Sequence, residues 1–186
     1  MEQFLDYLSS ITPLSELSKK DIKAKLIKRQ YIKKDILIQE LSTCKNLYFI
    51  KNGLVRSFYF KDGKEITDWF GIENSIIGPI IRNFPTKEGV HSVEILEDSE
   101  IIIISFDDLQ DLYDSHHEIE RLGRMISIQT VLLLQQKIDS IQFLTSRERY
   151  DDFVKNYPQL LQRVPLGYIA SYLGMNQVTL SRARKI

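Results

Sequence analysis

The spacing of apolar residues changes twice along this 186-residue chain, so no fold built on a single hydrophobic period can hold it. Over the first 28 residues the period is helical, with Phe4, Leu5 and Leu8 on one stripe and Ile22, Leu26 and Ile27 on another, broken at Thr12-Pro13. From Gln30 onward, short runs rich in β-branched and aromatic residues take over: 30–32, 35–41, 47–51, 54–60, 65–70, 75–77, 90–96 and 101–105. Asn52-Gly53 and Asp62-Gly63 stand between runs and tolerate the positive φ of tight hairpin turns, so the runs flanking each are predicted to pair antiparallel. Eight short strands with tight turns predict a β-roll or small barrel.

After Ser105 the helical period returns. Ser105 with Asp108, and Ser115 with Glu118, have the spacing in which a hydroxyl and a carboxylate satisfy the free amides of a helix start. The second of these helices is predicted from Ser115 to near Phe143, with no internal proline. Ile119, Leu122, Ile126 and Leu133 form one apolar stripe on it, and Met125, Ile128, Leu132 and Ile138 an adjacent one. Two stripes need two partners. One is expected to pack on the β-roll and the other on the same helix of a second copy, with Gln129 and Gln136 in the seam setting its register. A single long helix lying across its own domain is the alternative.

Thr145 and Glu148 open another helix, which carries Tyr150, Phe153, Val154 and Tyr157 and stops at Pro158. The stretch from Val164 to Arg184 then supplies what two helices joined by a tight turn require. Ala170 is small where the backbones approach, Gly174 can take the left-handed conformation that ends the first helix, and Asn176 can cap the second. Ile169, Leu173, Val178 and Leu180 are spaced so that most of them can close a small core. Gln177, Thr179, Ser181 and Arg182 lie near the N-terminal half of the second helix, where side chains of a helix-turn-helix reach base edges. Arg184 and Lys185 suit phosphate.

Charge supports that reading. Lys and Arg number 25 against 25 Asp and Glu, but the sum hides an asymmetry. Residues 145–186 carry Arg147, Arg149, Lys155, Arg163, Arg182, Arg184 and Lys185 against only Glu148, Asp151 and Asp152, and no acid follows Asp152. A basic terminal segment of this kind fits a polyanionic partner.

Several chemistries find no residues. The lone Cys44 can form neither an internal disulfide nor an iron-sulfur site and reads as a small, at least partly buried thiol. His116 and His117 are neighbours on a helix start, facing different ways, and read as solvated. There is no nucleophile elbow and no phosphate-cradling glycine loop, so enzymatic activity and a resident metal or cofactor are not expected. Trp69 and Phe70 close a strand and read as core, with a pocket-lining role as the alternative, and Glu97-Asp98 reads as a solvated hairpin. Apolar runs fall well short of the roughly 18 residues that span a bilayer, and the N-terminus lacks a basic segment followed by an apolar one. A cytoplasmic protein with no membrane partner is the expectation.

The order of parts resembles the Crp-Fnr superfamily of transcription regulators. Arg147 to Tyr150, Tyr157 to Pro165 and Tyr168 to Gly174 look like the branch found in Bacteroidetes-type bacteria. The resemblance implies an α+β chain: a cyclic-nucleotide-binding-like antiparallel β-roll with flanking helices (1–114), a dimerisation helix (115–143) and a helix-turn-helix domain (144–186). The β-roll is a double-stranded β-helix of cupin-like form. Implied partners are double-stranded DNA, a second copy through 115–143, and RNA polymerase. The family's base-reading positions fall on Gln177, Val178 and Arg182, and only Arg182 keeps the family's side chain. With the residue-level reading, the base-facing set is Gln177, Val178, Thr179, Ser181 and Arg182, and the phosphate-facing set Asn176, Arg184 and Lys185.

The phosphate-binding cassette of cyclic-nucleotide-binding relatives falls, by count back from Leu96, on Pro79, Gly89 and Val90. Its carboxylate, guanidinium and hydroxyl are all missing, so cyclic AMP is not the expected effector, and the effector is unknown. Arg82, Lys87 and His91 are near enough to line an altered anion pocket, or are solvated loop residues. The β-wing that many relatives place after the recognition helix would need residues beyond Ile186; either this branch lacks a wing or the chain is shortened. A DNA-binding homodimeric regulator on a palindromic operator is the leading expectation. A ligand-binding module whose terminal helices serve protein contacts is the alternative.

Overall fold

The computed structural model describes residues 1–43, 45–78 and 90–184. These contain eight helices and an antiparallel sheet: α1 (Glu2–Ile11), α2 (Glu16–Lys25), β1 (Ile27–Tyr31), β2 (Ile36–Ile38), β3 (Asn46–Lys61), β4 (Lys64–Gly71), β5 (Ile76–Ile77), β6 (Ser92–Ser105), α3 (Phe106–Ser115), α4 (His117–Phe143), α5 (Ser146–Asn156), α6 (Leu160–Arg163), α7 (Leu166–Tyr172) and α8 (Gln177–Ala183). Contacts divide the chain into two compact units, one of Met1–Ser57 with Phe70–Thr130 and the other of Phe58–Trp69 with Val131–Ile186.

In the first unit two long strands do the work expected of several short ones. β6 pairs antiparallel with β1 through Ile103 to Ser99, and with β2 near Val93 and Glu94. β3 pairs with β5 at Tyr48 and Phe49. The Asn52-Gly53 hairpin expected from sequence does not form: both residues lie inside the continuous strand β3. Gly53 has φ +115°, and a Cβ there would stand 2.0 Å from Ser99 Oγ. The glycine therefore lets β3 run on past Ser99 of β6 at a distance that leaves no room for a Cβ. Asp62-Gly63 does turn the chain, with φ of 51° and 72°, the positive pair that a two-residue hairpin needs. The runs expected at 90–96 and 101–105 are likewise one strand, β6.

The helical stripes close this unit. Phe4, Leu5 and Leu8 of α1 join Ile22, Phe49, Ile102, Leu112, Ile119 and Leu122 in one core. α2 ends at Lys25, so Ile27 lies on β1, 54% exposed, and is not part of a helical stripe. Buried Arg56 on β3 donates to Glu94 Oε2 on β6 at 2.8 Å, giving the interior a compensated charge.

Ser115 does not cap α4, as its spacing with Glu118 suggested. It closes α3, its hydroxyl donating back to the Asp111 carbonyl, and Glu118 instead accepts from the Ser15 N–H at 3.0 Å and from the Ser15 and Ser18 hydroxyls at the start of α2. His116 is also engaged, its ring nitrogens 3.2 Å from Ser18 Oγ and 3.0 Å from Asp21. Only His117 is solvated. Both corrections share a cause: a tertiary partner outcompetes the local one.

In the second unit the Thr145 and Glu148 capping box forms as expected, and Phe153, Leu160, Val164, Ile169, Leu173 and Leu180 make the core. The Asp62-Gly63 end of the β3–β4 hairpin belongs here. Thr67 N–H donates to Ser171 Oγ at 2.9 Å, and Trp69 meets Tyr172 edge to face at 6.5 Å. Phe70 is buried, whereas Trp69 is half-buried. Cys44 lies outside the described residues.

Candidate nucleic-acid interface

The candidate interface is built by a local sequence that stops one short helix and starts another after four residues, Leu173 to Asn176. Gly174, at φ +66°, donates to the Ser171 carbonyl at 3.0 Å, and Met175 N–H to the Ala170 carbonyl at 2.9 Å, so the last carbonyls of α7 are satisfied in the turn. Asn176 Oδ1 accepts from Thr179 N–H at 2.8 Å and caps α8. Ile169, Ala170, Leu173, Leu180 and Ala183 are buried between and beneath the two helices.

What remains on α8 faces outward. Gln177, Val178, Ser181 and Arg182 are exposed, and Thr179 is half-buried. The pairs Gln177/Ser181 and Val178/Arg182 are each one turn apart, so the four share a face. Val178 corrects the sequence reading that placed it among the core candidates: it is 61% exposed, because Leu180 and Ala183 occupy the inner face. Asn176 is exposed but spends its side chain on the cap, and Arg184 is exposed beyond the end of α8. Lys185 lies outside the described residues.

Arg147 had no assigned role in the sequence, yet it belongs to this geometry. Its Nη1 donates to the Ala183 carbonyl at 2.6 Å and its Nε to Asp151 at 2.8 Å, placing a cation at the C-terminal end of α8. Its position two residues into a capped helix gave only a generic signal.

The apolar stripes of α4 divide unevenly. Ile119 and Leu122 are buried and Ile126 is half-buried in the first unit's core. Further on, Val131, Leu134, Ile138 and Ile141 are 63, 48, 47 and 50% exposed, with the 3-4-3 spacing of a coiled-coil seam. Gln129 and Gln136, expected at seam positions in the heptad of Ile119, Leu122, Ile126 and Leu133, are exposed and lie on the opposite side of the helix from this run at 100° per residue. Ile128, Leu132 and Leu133 are also exposed.

Of the cassette positions, Pro79 and Gly89 lie outside the described residues, as do Arg82 and Lys87, while Val90 and His91 are half-buried. Among the described residues no cluster of His, Cys, Asp or Glu is arranged to hold a metal ion. No described helix is long and apolar enough to cross a membrane.

Comparison with known proteins agrees with this architecture. Residues 28–116 match the cyclic nucleotide-binding domain family. The fold is similar to that of FixK2 from Bradyrhizobium japonicum (TM-score 0.73, 18% identity, 85% of this chain and 82% of that one). It is similar as well to the c-di-GMP-responsive global regulator CLP of Xanthomonas campestris (TM-score 0.71, 16% identity, 92% and 90%). A crp/fnr-family protein from Eubacterium rectale also aligns (TM-score 0.72, 18% identity, 96% and 85%). No curated protein sequence matches significantly. The match to the cyclic nucleotide-binding domain is thus confined to residues 28–116, and the chain as a whole shares the fold of these three proteins.

Proposed function

We propose that the chain is a sequence-specific, DNA-binding transcription regulator that acts as a homodimer, with α8 as the reading helix. The observation that carries this is the division of α8: Leu180 and Ala183 hold it to its own unit, while Gln177, Val178, Ser181 and Arg182 share an outward face. Gln and Arg are side chains that pair with base edges in the major groove, Val178 offers apolar contact to a thymine methyl, and Arg184 suits phosphate. Half-buried Thr179 sits at the edge of this face.

The exposed Val131, Leu134, Ile138 and Ile141 provide the seam for a second copy. A two-fold dimer places two copies of α8 in successive major grooves roughly 34 Å apart, so the operator is an approximate palindrome. RNA polymerase is the further partner that such a regulator acts through. The first unit serves as an effector domain, and the Pro79, Gly89 and Val90 of its cassette argue against cyclic AMP as the effector.

The test is fluorescence anisotropy with random duplex at rising salt, followed by selection of preferred sites from a randomised library. A regulator binds random duplex weakly, loses affinity steeply with salt, and enriches a palindrome. No binding at low salt, or enrichment of no motif, overturns the proposal.

A further inference from the structure

Beside the helix pair, the second unit contains a cavity of about 70 Å³, well above the roughly 10–15 Å³ that one water occupies. It is partly open to solvent, and its walls include Trp69, Phe153, Tyr157 and Tyr172, together with the cations Lys137 and Arg149. The two cations differ. Lys137 is neutralised: its ammonium lies 2.9 Å from Asp68 Oδ1 and 4.9 Å from the centre of the Tyr172 ring. Arg149 is not. Its Nη1 reaches the Ile141 carbonyl at 3.3 Å and its Nη2 the Ser146 hydroxyl at 3.5 Å, both long. Its Nε is out of contact with solvent and has no partner. Among the described residues no carboxylate comes within ion-pair distance of it. Asp152, also at the cavity, is exposed and accepts from Asn156 at 3.0 Å.

A buried guanidinium donor without an acceptor is costly, and a guanidinium is the group best matched to a planar two-oxygen anion. The aromatic walls supply what the rest of such a ligand needs, a flat apolar body to stack against. We propose that this cavity binds a small aromatic carboxylate, with its carboxylate on Arg149 and its ring among Trp69, Tyr157 and Tyr172. Binding exchanges the long contacts of Arg149 for a two-point pair. Because Tyr172 belongs to α7, the ligand touches the first helix of the helix pair directly. None of the residues lining this cavity belongs to the Pro79–Val90 segment, and binding here does not depend on whether the chain binds DNA.

Trp69 is the chain's single tryptophan, so its emission reports the cavity alone. Benzoate titrated into the full chain should change that emission saturably, with a half-point in the millimolar range or below, while benzyl alcohol, its uncharged counterpart, binds at least about tenfold more weakly. Arg149→Gln should erase the preference for benzoate over benzyl alcohol, and Arg149→Lys should retain part of it. Circular dichroism of each variant verifies that it is folded. A non-saturating response, equal binding of the two probes by the wild type, or unchanged benzoate binding by a folded Arg149→Gln variant overturns the proposal. The comparison of probes on the wild type needs no variant to fold.

Discussion

Arg147 closes the far end of α8, its Nη1 donating to the Ala183 carbonyl at 2.6 Å while Asp151 holds the same guanidinium at 2.8 Å. α8 spans only Gln177–Ala183, so two turns of helix are anchored by Asn176 at one end and by Arg147 at the other. Loss of the charged bond at a helix C-terminus costs about 1–2 kcal/mol. Arg147→Met should therefore lower the thermal midpoint and weaken DNA binding together, and Arg147→Lys should recover part of both. Calorimetry and anisotropy on the same samples check this; a variant that loses neither removes Arg147 from the account.

Arg182 and Arg184 separate two kinds of DNA contact. Arg182 shares the outward face with Val178, whereas Arg184 sits past the last turn. Arg182→Ala should cost about 1–3 kcal/mol on the preferred site and relax base choice at one position of each half-site. Arg184→Ala should weaken all sequences alike and reduce the salt slope by about one. Equal effects of the two substitutions on specificity would mean that α8 lies differently on DNA.

The seam on α4 makes its own prediction. Ile138→Glu places a charge in the middle of the exposed run from Val131 to Ile141, where a partner helix would bury it without a counter-charge. The variant should be monomeric by light scattering at concentrations where the wild type is dimeric, with its helical content unchanged. A dimeric Ile138→Glu variant would place the subunit contact elsewhere.

Much of this architecture was legible because it depends on local rules. The Ser105 and Thr145 caps, the Asp62-Gly63 turn, and the Gly174 and Asn176 junction all act within four residues of themselves, and all appear where their spacing put them. The misreadings are tertiary. Gly53 looked like a hairpin residue because its need for positive φ is visible in sequence, but the Ser99 backbone it must clear is not. Glu118 looked like the cap of its own helix, and its partners Ser15 and Ser18 lie about a hundred residues away. In the candidate interface the inner positions Leu180 and Ala170 were readable from helical spacing, whereas Arg147 was not, since a basic residue early in α5 says nothing about the end of α8.

Gly53 is held to glycine by both its backbone and its neighbour. Alanine there meets both a φ of +115° and a Cβ contact of 2.0 Å with Ser99, whose own backbone is within 2.8 Å. Gly53→Ala should destabilise the chain by about 2 kcal/mol or more. Gly63→Ala has φ +72° and open space around the new Cβ, so it should cost about 1 kcal/mol. Urea unfolding of both variants decides; equal losses would mean that the Ser99 approach is not what requires the glycine.

Acid sensitivity should concentrate at Glu100. On β6 its carboxylate accepts from Lys51, from Lys28 at 2.9 Å and from Gln30 Nε2 at 3.0 Å, and the Lys51 bond, followed by that from Lys28, holds its pKa down to about 2 from an ordinary 4.5. A carboxyl whose folded pKa is depressed binds its proton more readily when unfolded. Its stabilisation is therefore complete above about pH 4.5 and is lost as the pH falls toward 2. Glu100→Gln should be less stable than the wild type at pH 6, and the two urea midpoints should converge as the pH drops from 4.5 toward 2. Midpoints that stay equally far apart across that window would show that the Lys28, Lys51 and Glu100 cluster does not couple folding to protons.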